Sequence, residues 1–203
     1  MKTEMKQNTI SRMTKVALVA VIGSAIGVTA SRPVIALKSN FREDTNPIAE
    51  SRPAPELLGK QWLNTAKNNP PKLASRKGKV TLVHFWTLGC INCKHNLPAY
   101  NHLQKKFAGR GVEVIGVHTP ETPGESKFAN VRSSIKKWGI TYPVLVDNDN
   151  TNWNRWHQQF WPTAYLIDRT GKIRYRWEGE LNFGGQQGER TLGEKIQALL
   201  DEK

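Results

Sequence analysis

The chain has 203 residues, 38% hydrophobic and 23% charged, with 30 Lys and Arg against 17 Asp and Glu, a formal net charge of +13. Two cysteines exclude a disulfide-dense scaffold and a cysteine-rich structural zinc site, and the length makes one domain the default. The positive charge is scattered in short clusters such as residues 72–79 and 169–176, so it reads as a solvated surface; no nucleic-acid motif accompanies it and no nucleic-acid partner is expected.

Residues 1–36 read as a signal peptide or signal anchor. Lys2, Lys6, Arg12 and Lys15 form a basic leader, residues 16–30 are apolar, and Val34-Ile35-Ala36 offers a small-residue cleavage pattern. The apolar run falls short of the roughly 20 residues that span a bilayer, so cleavage is the first reading and a membrane tether through residues 16–30 the second. Removing the leader's five basic residues and one acidic residue leaves 25 and 16, a net charge of +9. The expected location is exported, periplasmic, either soluble or N-terminally anchored.

Residues 37–53 are polar and rich in Asn, Arg, Glu and Pro, the composition of a flexible tether, and the domain is expected over 54–203. Residues 62–65 suggest an early strand and 68–71 a loop. Residues 80–86 are β-branched and aromatic, as a central buried strand requires. A helix begins near Lys94, carries Leu97, Tyr100, Leu103 and Phe107 on one face, and stops at Gly109 and Gly111; Pro98 inside it should produce a kink.

A strand follows over 112–117, then a helix with Phe128, Val131, Ile135 and Trp138 on one face that ends at Gly139. Strands are expected over 142–147 and 163–167, with a short helix over 152–158 between them. The turn at 168–171 leads into Ile173, Tyr175 and Trp177, which alternate with charged residues as in a half-exposed edge strand. A last helix covers about 189–200. Alternating strands and helices closed by a hairpin give an α/β fold, a mixed central sheet with helices on both faces.

The chemistry centres on Cys90-Ile91-Asn92-Cys93, between the central strand and the first helix. A thiol at a helix start faces the positive end of the dipole and unpaired N–H groups, which favour the nucleophilic thiolate. A second thiol one turn on can resolve the mixed disulfide from within the molecule. A purely structural bridge is the weaker reading, because a bond across two residues restricts the unfolded chain little.

Three segments carry a resemblance: 85–93 (Phe-Trp-Thr-Leu-Gly-Cys-Ile-Asn-Cys), 114–121 (Val-Ile-Gly-Val-His-Thr-Pro-Glu) and 161–168 (Trp-Pro-Thr-Ala-Tyr-Leu-Ile-Asp). Over about residues 54 to 180 the chain resembles the thioredoxin fold and, within it, the exported redoxins with TlpA-like and DipZ-like domains. That resemblance implies a thiol-disulfide oxidoreductase, reducing protein disulfides, with Cys90 as nucleophile and Cys93 as resolving thiol. Pro162 then matches the fold's cis-proline, whose neighbouring backbone can pair with an extended substrate beside Cys90.

The buried Asp that many thioredoxins carry six residues before the first cysteine is here His84, and the family's alternative acid matches Glu121. Glu121 or His84 is therefore expected to shuttle the proton of Cys93. Trp86 and Trp161 are expected to border the cysteines as an apolar landing surface or to pack in the core. Trp62, Trp138, Trp153, Trp156 and Trp177 are assigned to the scaffold, His95 to the solvent-facing side of the helix, and His102 and His157 have no specific partner. The implied partners are protein thiols or disulfides and an upstream electron donor, with the chain a monomer.

No cofactor and no metal are expected. Lys94 follows Cys93 where covalent haem attachment needs His, and a copper chaperone through Cys90, Cys93 and His118 is a weak alternative. A thiol peroxidase is the nearest enzymatic rival, because Thr87 lies three residues before Cys90, but Val83 stands where that motif expects proline. A non-catalytic binding module with a locked disulfide is the rival from another class.

Overall fold

The computed structural model describes residues 46–66 and 69–202. The chain divides into two units, 1–40 and 41–203, and every described residue belongs to the second. The expected signal segment, residues 37–45 of the tether, and Asn68 of the expected loop lie outside the described residues.

Seven strands form one mixed sheet: β1 (Ile48–Pro53), β2 (Trp62–Leu63), β3 (Val80–Trp86), β4 (Val112–His118), β5 (Val144–Val146), β6 (Thr163–Ile167) and β7 (Lys172–Glu178), in the order β1-β7-β6-β3-β4-β5-β2. The helices are α1 (Ile91–Lys106), α2 (Phe128–Lys137), α3 (Thr151–Arg155) and α4 (Gly188–Asp201). All seven residues of β3 are buried; it pairs parallel with β4 and antiparallel with β6. A run of Val, Leu, Phe and Trp without polar alternation suits that central position, where both faces are covered.

Strands β3, β4 and β5 are parallel neighbours linked through α1 and then α2. Both crossovers step the same way along the sheet, so their common right-handedness puts both helices on one face. Burial agrees. Leu82, Trp86, Val114, Val144 and Leu166 meet Leu97 and Leu103 of α1, Val131 and Ile135 of α2, and Leu192 and Ile196 of α4. On the other face Val83, Phe85, Ile115, Val117, Leu145 and Tyr165 meet Leu57, Leu73 and Trp156, contributed by the segment before β3 and the residue closing α3.

Three expectations are corrected. The tether ends before Ile48, because β1 pairs antiparallel with β7 and its Glu50 forms an ion pair with Arg176, Oε1 to Nε 2.8 Å. Consequently β7 is not an edge; β1 covers it, and the edges are β1 and the two-residue β2. The polar alternation of residues 48–53 is the pattern of a charged edge strand, which composition alone does not separate from a linker. The third correction concerns the helix carrying the cysteines, which starts at Ile91 rather than Lys94 and continues as one helix through Pro98.

Candidate active site

The carboxyl end of β3 delivers the site. After Trp86, residues 87–90 turn from the strand into α1, and Cys90 is the N-cap of that helix. The backbone N–H of Cys93 donates to Cys90 Sγ at 3.1 Å, and Lys94 N–H donates to the Cys90 carbonyl at 3.2 Å. Sulfur here takes the place an Asp or Ser oxygen takes in an ordinary cap, so negative charge on Cys90 is met by an aligned donor. Cys90 and Cys93 form a disulfide with Cα atoms 5.2 Å apart. Cys90 is half-buried while Cys93 is 1% exposed, so an incoming disulfide can reach only the first sulfur.

A buried carboxylate holds this loop. Glu125, in the turn after β4, is 8% exposed and accepts hydrogen bonds from the Thr87 hydroxyl and from Glu121 N–H at 2.8 Å, and the nearby backbone amides of Gly89 and Thr122 also favour its charge. Burial pushes the Glu125 carboxyl up, but these donors outweigh it and hold it below the usual carboxylate range. A Cβ at residue 89 would collide with Glu125 Oε1, so glycine is the residue that fits immediately before Cys90. Thr87, aligned above with a peroxidase motif, spends its hydroxyl on Glu125.

Glu121 is exposed in the loop, and Glu125 is the acid that the fold buries. His84 is fully buried, its Nε2 lies 3.0 Å from the Tyr142 hydroxyl, and its ring stacks on Tyr100 at 4.2 Å. Tyr100 is seven residues beyond Cys93 on α1, so its Cα lies about 10 Å along the helix from that of Cys93. His118 is nearer to the loop, at the end of β4, with its ring 5.0 Å from that of Trp86 and both nitrogens buried without a hydrogen-bond partner. Gly116 makes room for this cluster, since a Cβ there would lie 3.1 Å from His84 Nε2 and from Trp86 Nε1.

Burial lowers His84 to about 3 and, partly offset by Glu125, His118 to about 4, from an ordinary 6.5. Below pH 6.5 the unfolded chain therefore binds protons that the folded protein refuses, and stability falls as pH drops until the folded values are reached. Between pH 6.5 and 5 we expect a loss of roughly 1–2 kcal/mol per histidine. Urea titrations across this window should show a flatter acid limb for His84→Asn than for the wild type; parallel limbs would contradict the neutral assignment.

Of the expected substrate surface, Trp86 is corrected. At 1% exposure, between His118 and Trp138, it is core and presents nothing to a client. Trp161 is half-buried, its ring centroid 4.1 Å from that of Trp153, and, like Leu88 and Cys90, it packs against the helix-side core; the Trp161–Pro162 peptide is cis. The sequence reading missed Ile91 and Phe160, large apolar residues exposed at 59% and 41% in the chain next to Cys90 and Trp161. Ile91 falls outside the Leu97–Tyr100–Leu103 stripe, which was the available signal.

Asn96 was also missed. Fully buried on α1, it donates to the Gly179 carbonyl at 3.1 Å and accepts from Leu181 N–H at 2.8 Å, tying the cysteine helix to the chain after β7. His95 is exposed and bonds Glu180 at 3.0 Å, while His102, read as unpartnered, pairs with Glu189. Among the described residues no three His, Cys, Asp or Glu side chains converge as a metal site would need, and no helix is long and apolar enough to cross a membrane.

Comparison with known proteins agrees with this geometry. A model of the AhpC/TSA family matches residues 51–176. Protein DipZ of Mycobacterium bovis is 38% identical over 143 residues, which cover 70% of this chain and 21% of DipZ, so the chain spans about a fifth of that relative's length. The thiol-disulfide oxidoreductase YkuV of Bacillus subtilis is 28% identical over 152 residues, covering 74% of this chain and 96% of YkuV. The crystal structure of a thiol:disulfide interchange protein of the thioredoxin family from Chlorobium tepidum superposes with a TM-score of 0.57 at 25% identity, covering 75% of this chain and 98% of that one. The thioredoxin-like fold and the DipZ-like resemblance are borne out, and the relatives support an oxidoreductase of thiols and disulfides.

Proposed function

This chain belongs to the AhpC/TSA family, and from that membership and the site's geometry we propose that it is an exported thiol-disulfide oxidoreductase that reduces protein disulfides. One observation carries the reading: a reachable sulfur caps the helix, and its bonded partner is sealed beneath it. In the reduced form the Cys90 thiolate attacks one sulfur of a client disulfide; that S–S bond breaks, a mixed disulfide forms, and one client thiolate leaves. Cys93 gives up its proton and attacks Cys90 Sγ, the mixed disulfide breaks, and the second client thiolate leaves. The client gains two electrons and the protein ends as the Cys90–Cys93 disulfide. An upstream dithiol then reduces that disulfide and closes the cycle.

Trp161, Pro162 and the exposed Ile91 and Phe160 supply the client-facing surface, and the chain acts as a monomer. With His84 buried, neutral and bonded to Tyr142, and Glu121 in solvent, Glu121 is the better placed of the two to pass the proton to water. The basic leader and apolar run of residues 16–30 support export, with a membrane tether where cleavage does not occur. Direction is tested by titrating the Cys90–Cys93 couple against glutathione and dithiothreitol buffers. A value near about −270 mV is expected for a reductant; one near about −120 mV would make the protein an oxidant.

A further inference from the structure

We propose that Glu125 is a positioning residue that biases the Cys90–Cys93 couple toward its disulfide, and so toward the reductant role, by fixing a negative charge against the loop of the nucleophile. This inference rests on the oxidoreductase reading. Glu125 is 8% exposed, its Oε2 accepts from the Thr87 hydroxyl and from Glu121 N–H, and its Oε1 lies against Gly89, the residue before Cys90. The carboxylate lies so close to Gly89 that a Cβ there would strike it. These hydrogen bonds, with the neighbouring backbone amides, hold it below the usual carboxylate range and keep it ionised, so it serves as a standing charge and not as a proton carrier.

Lys94, in the first turn of α1, places Nζ 5.7 Å from the Trp138 ring, His95 is paired with Glu180, and the buried His118 is neutral at physiological pH. Reduction of the disulfide adds two electrons, breaks the S–S bond and leaves Cys90 to share a proton with water. The helix start favours its thiolate, and a carboxylate held one residue away opposes it. Destabilising the thiolate weakens the reduced form, which makes the disulfide harder to reduce and the dithiol a better reductant.

Glu125→Gln keeps the size and an acceptor oxygen and removes the charge. We expect it to raise the equilibrium constant for reduction by glutathione roughly tenfold, which is about 30 mV for a two-electron couple. The Cys90 thiolate fraction, read by absorbance at 240 nm and by alkylation rate, should rise by a similar factor. Thr87→Val removes one donor and keeps the charge; it should lower the melting temperature and leave the potential in place. An unchanged potential in folded Glu125→Gln, or an equal shift in Thr87→Val, would overturn the proposal. The second pattern would trace the effect to a loosened loop.

A measurement on the wild type stands independently of whether the variant folds. Relative to a free small thiol, reduced Cys90 should react faster with a cationic than with an anionic methanethiosulfonate, although the chain is net positive. A normalised ratio at or below one would contradict the standing charge. Failure of this inference leaves disulfide exchange intact, whereas failure of the oxidoreductase reading abolishes it, so the two are separable.

Discussion

Cys90→Ser is expected to lower dithiothreitol-driven insulin reduction by on the order of a thousandfold or more, to the rate of dithiothreitol alone. The serine hydroxyl is not ionised near neutral pH and cannot form the mixed disulfide. Cys93 does not take over, because it is 1% exposed beneath the helix start. Cys93→Ser should also lose turnover while keeping the first attack, since its role begins only after the client is attached. This asymmetry distinguishes exchange from a docking module with a locked bridge, in which both substitutions would leave function untouched. It also separates exchange from peroxidase chemistry, read by hydrogen peroxide turnover.

The second large effect concerns stability. Asp147, just after β5 and 2% exposed, accepts hydrogen bonds from Asn152 N–H at 2.9 Å, Asn152 Nδ2 at 2.8 Å, Trp153 N–H at 2.9 Å and the Thr119 hydroxyl at 3.1 Å. It therefore joins the sheet, the loop after β4, and the helix whose Trp153 stacks on Trp161. Asp147→Ala would strand several buried donors together, and the expected loss is about 3–5 kcal/mol of unfolding free energy. Asp147→Asn keeps one acceptor oxygen and should cost about half as much. Urea unfolding checks both: the midpoint should fall with the slope unchanged, and an Asp147→Ala midpoint equal to that of the wild type would contradict the network.

What the sequence discloses follows from where each interaction is encoded. Strand β3 is legible because seven consecutive buried positions leave a β-branched and aromatic run broken only by His84, and the cysteine pair is legible because its spacing and flanks are local. Strand β1 is hidden, since its stability comes from pairing with β7 more than a hundred residues away and its side chains are those of an edge. The anchoring role of Glu125 is hidden for a related reason. Two glutamates sit in the polar stretch 119–126, and only the closure of the Thr87–Gly89 loop over that stretch decides which one is buried. Trp86 and Trp161 are alike in sequence context, but β3 carries one into the core while the loop before β6 leaves the other half-exposed.

His118 shows the reverse. With Cys90 and Cys93 it reads as a candidate soft-metal ligand, whereas the strand places it against Trp86, and no three metal-ligating side chains converge among the described residues.

The most direct measurement of the central claim is the intact mass of Cys93→Ser after reaction with an oxidised protein client. The account predicts a covalent adduct that dithiothreitol releases and that peptide mapping assigns to Cys90. A folded Cys93→Ser protein that forms no such adduct, or forms it equally after Cys90 is also replaced, would contradict it.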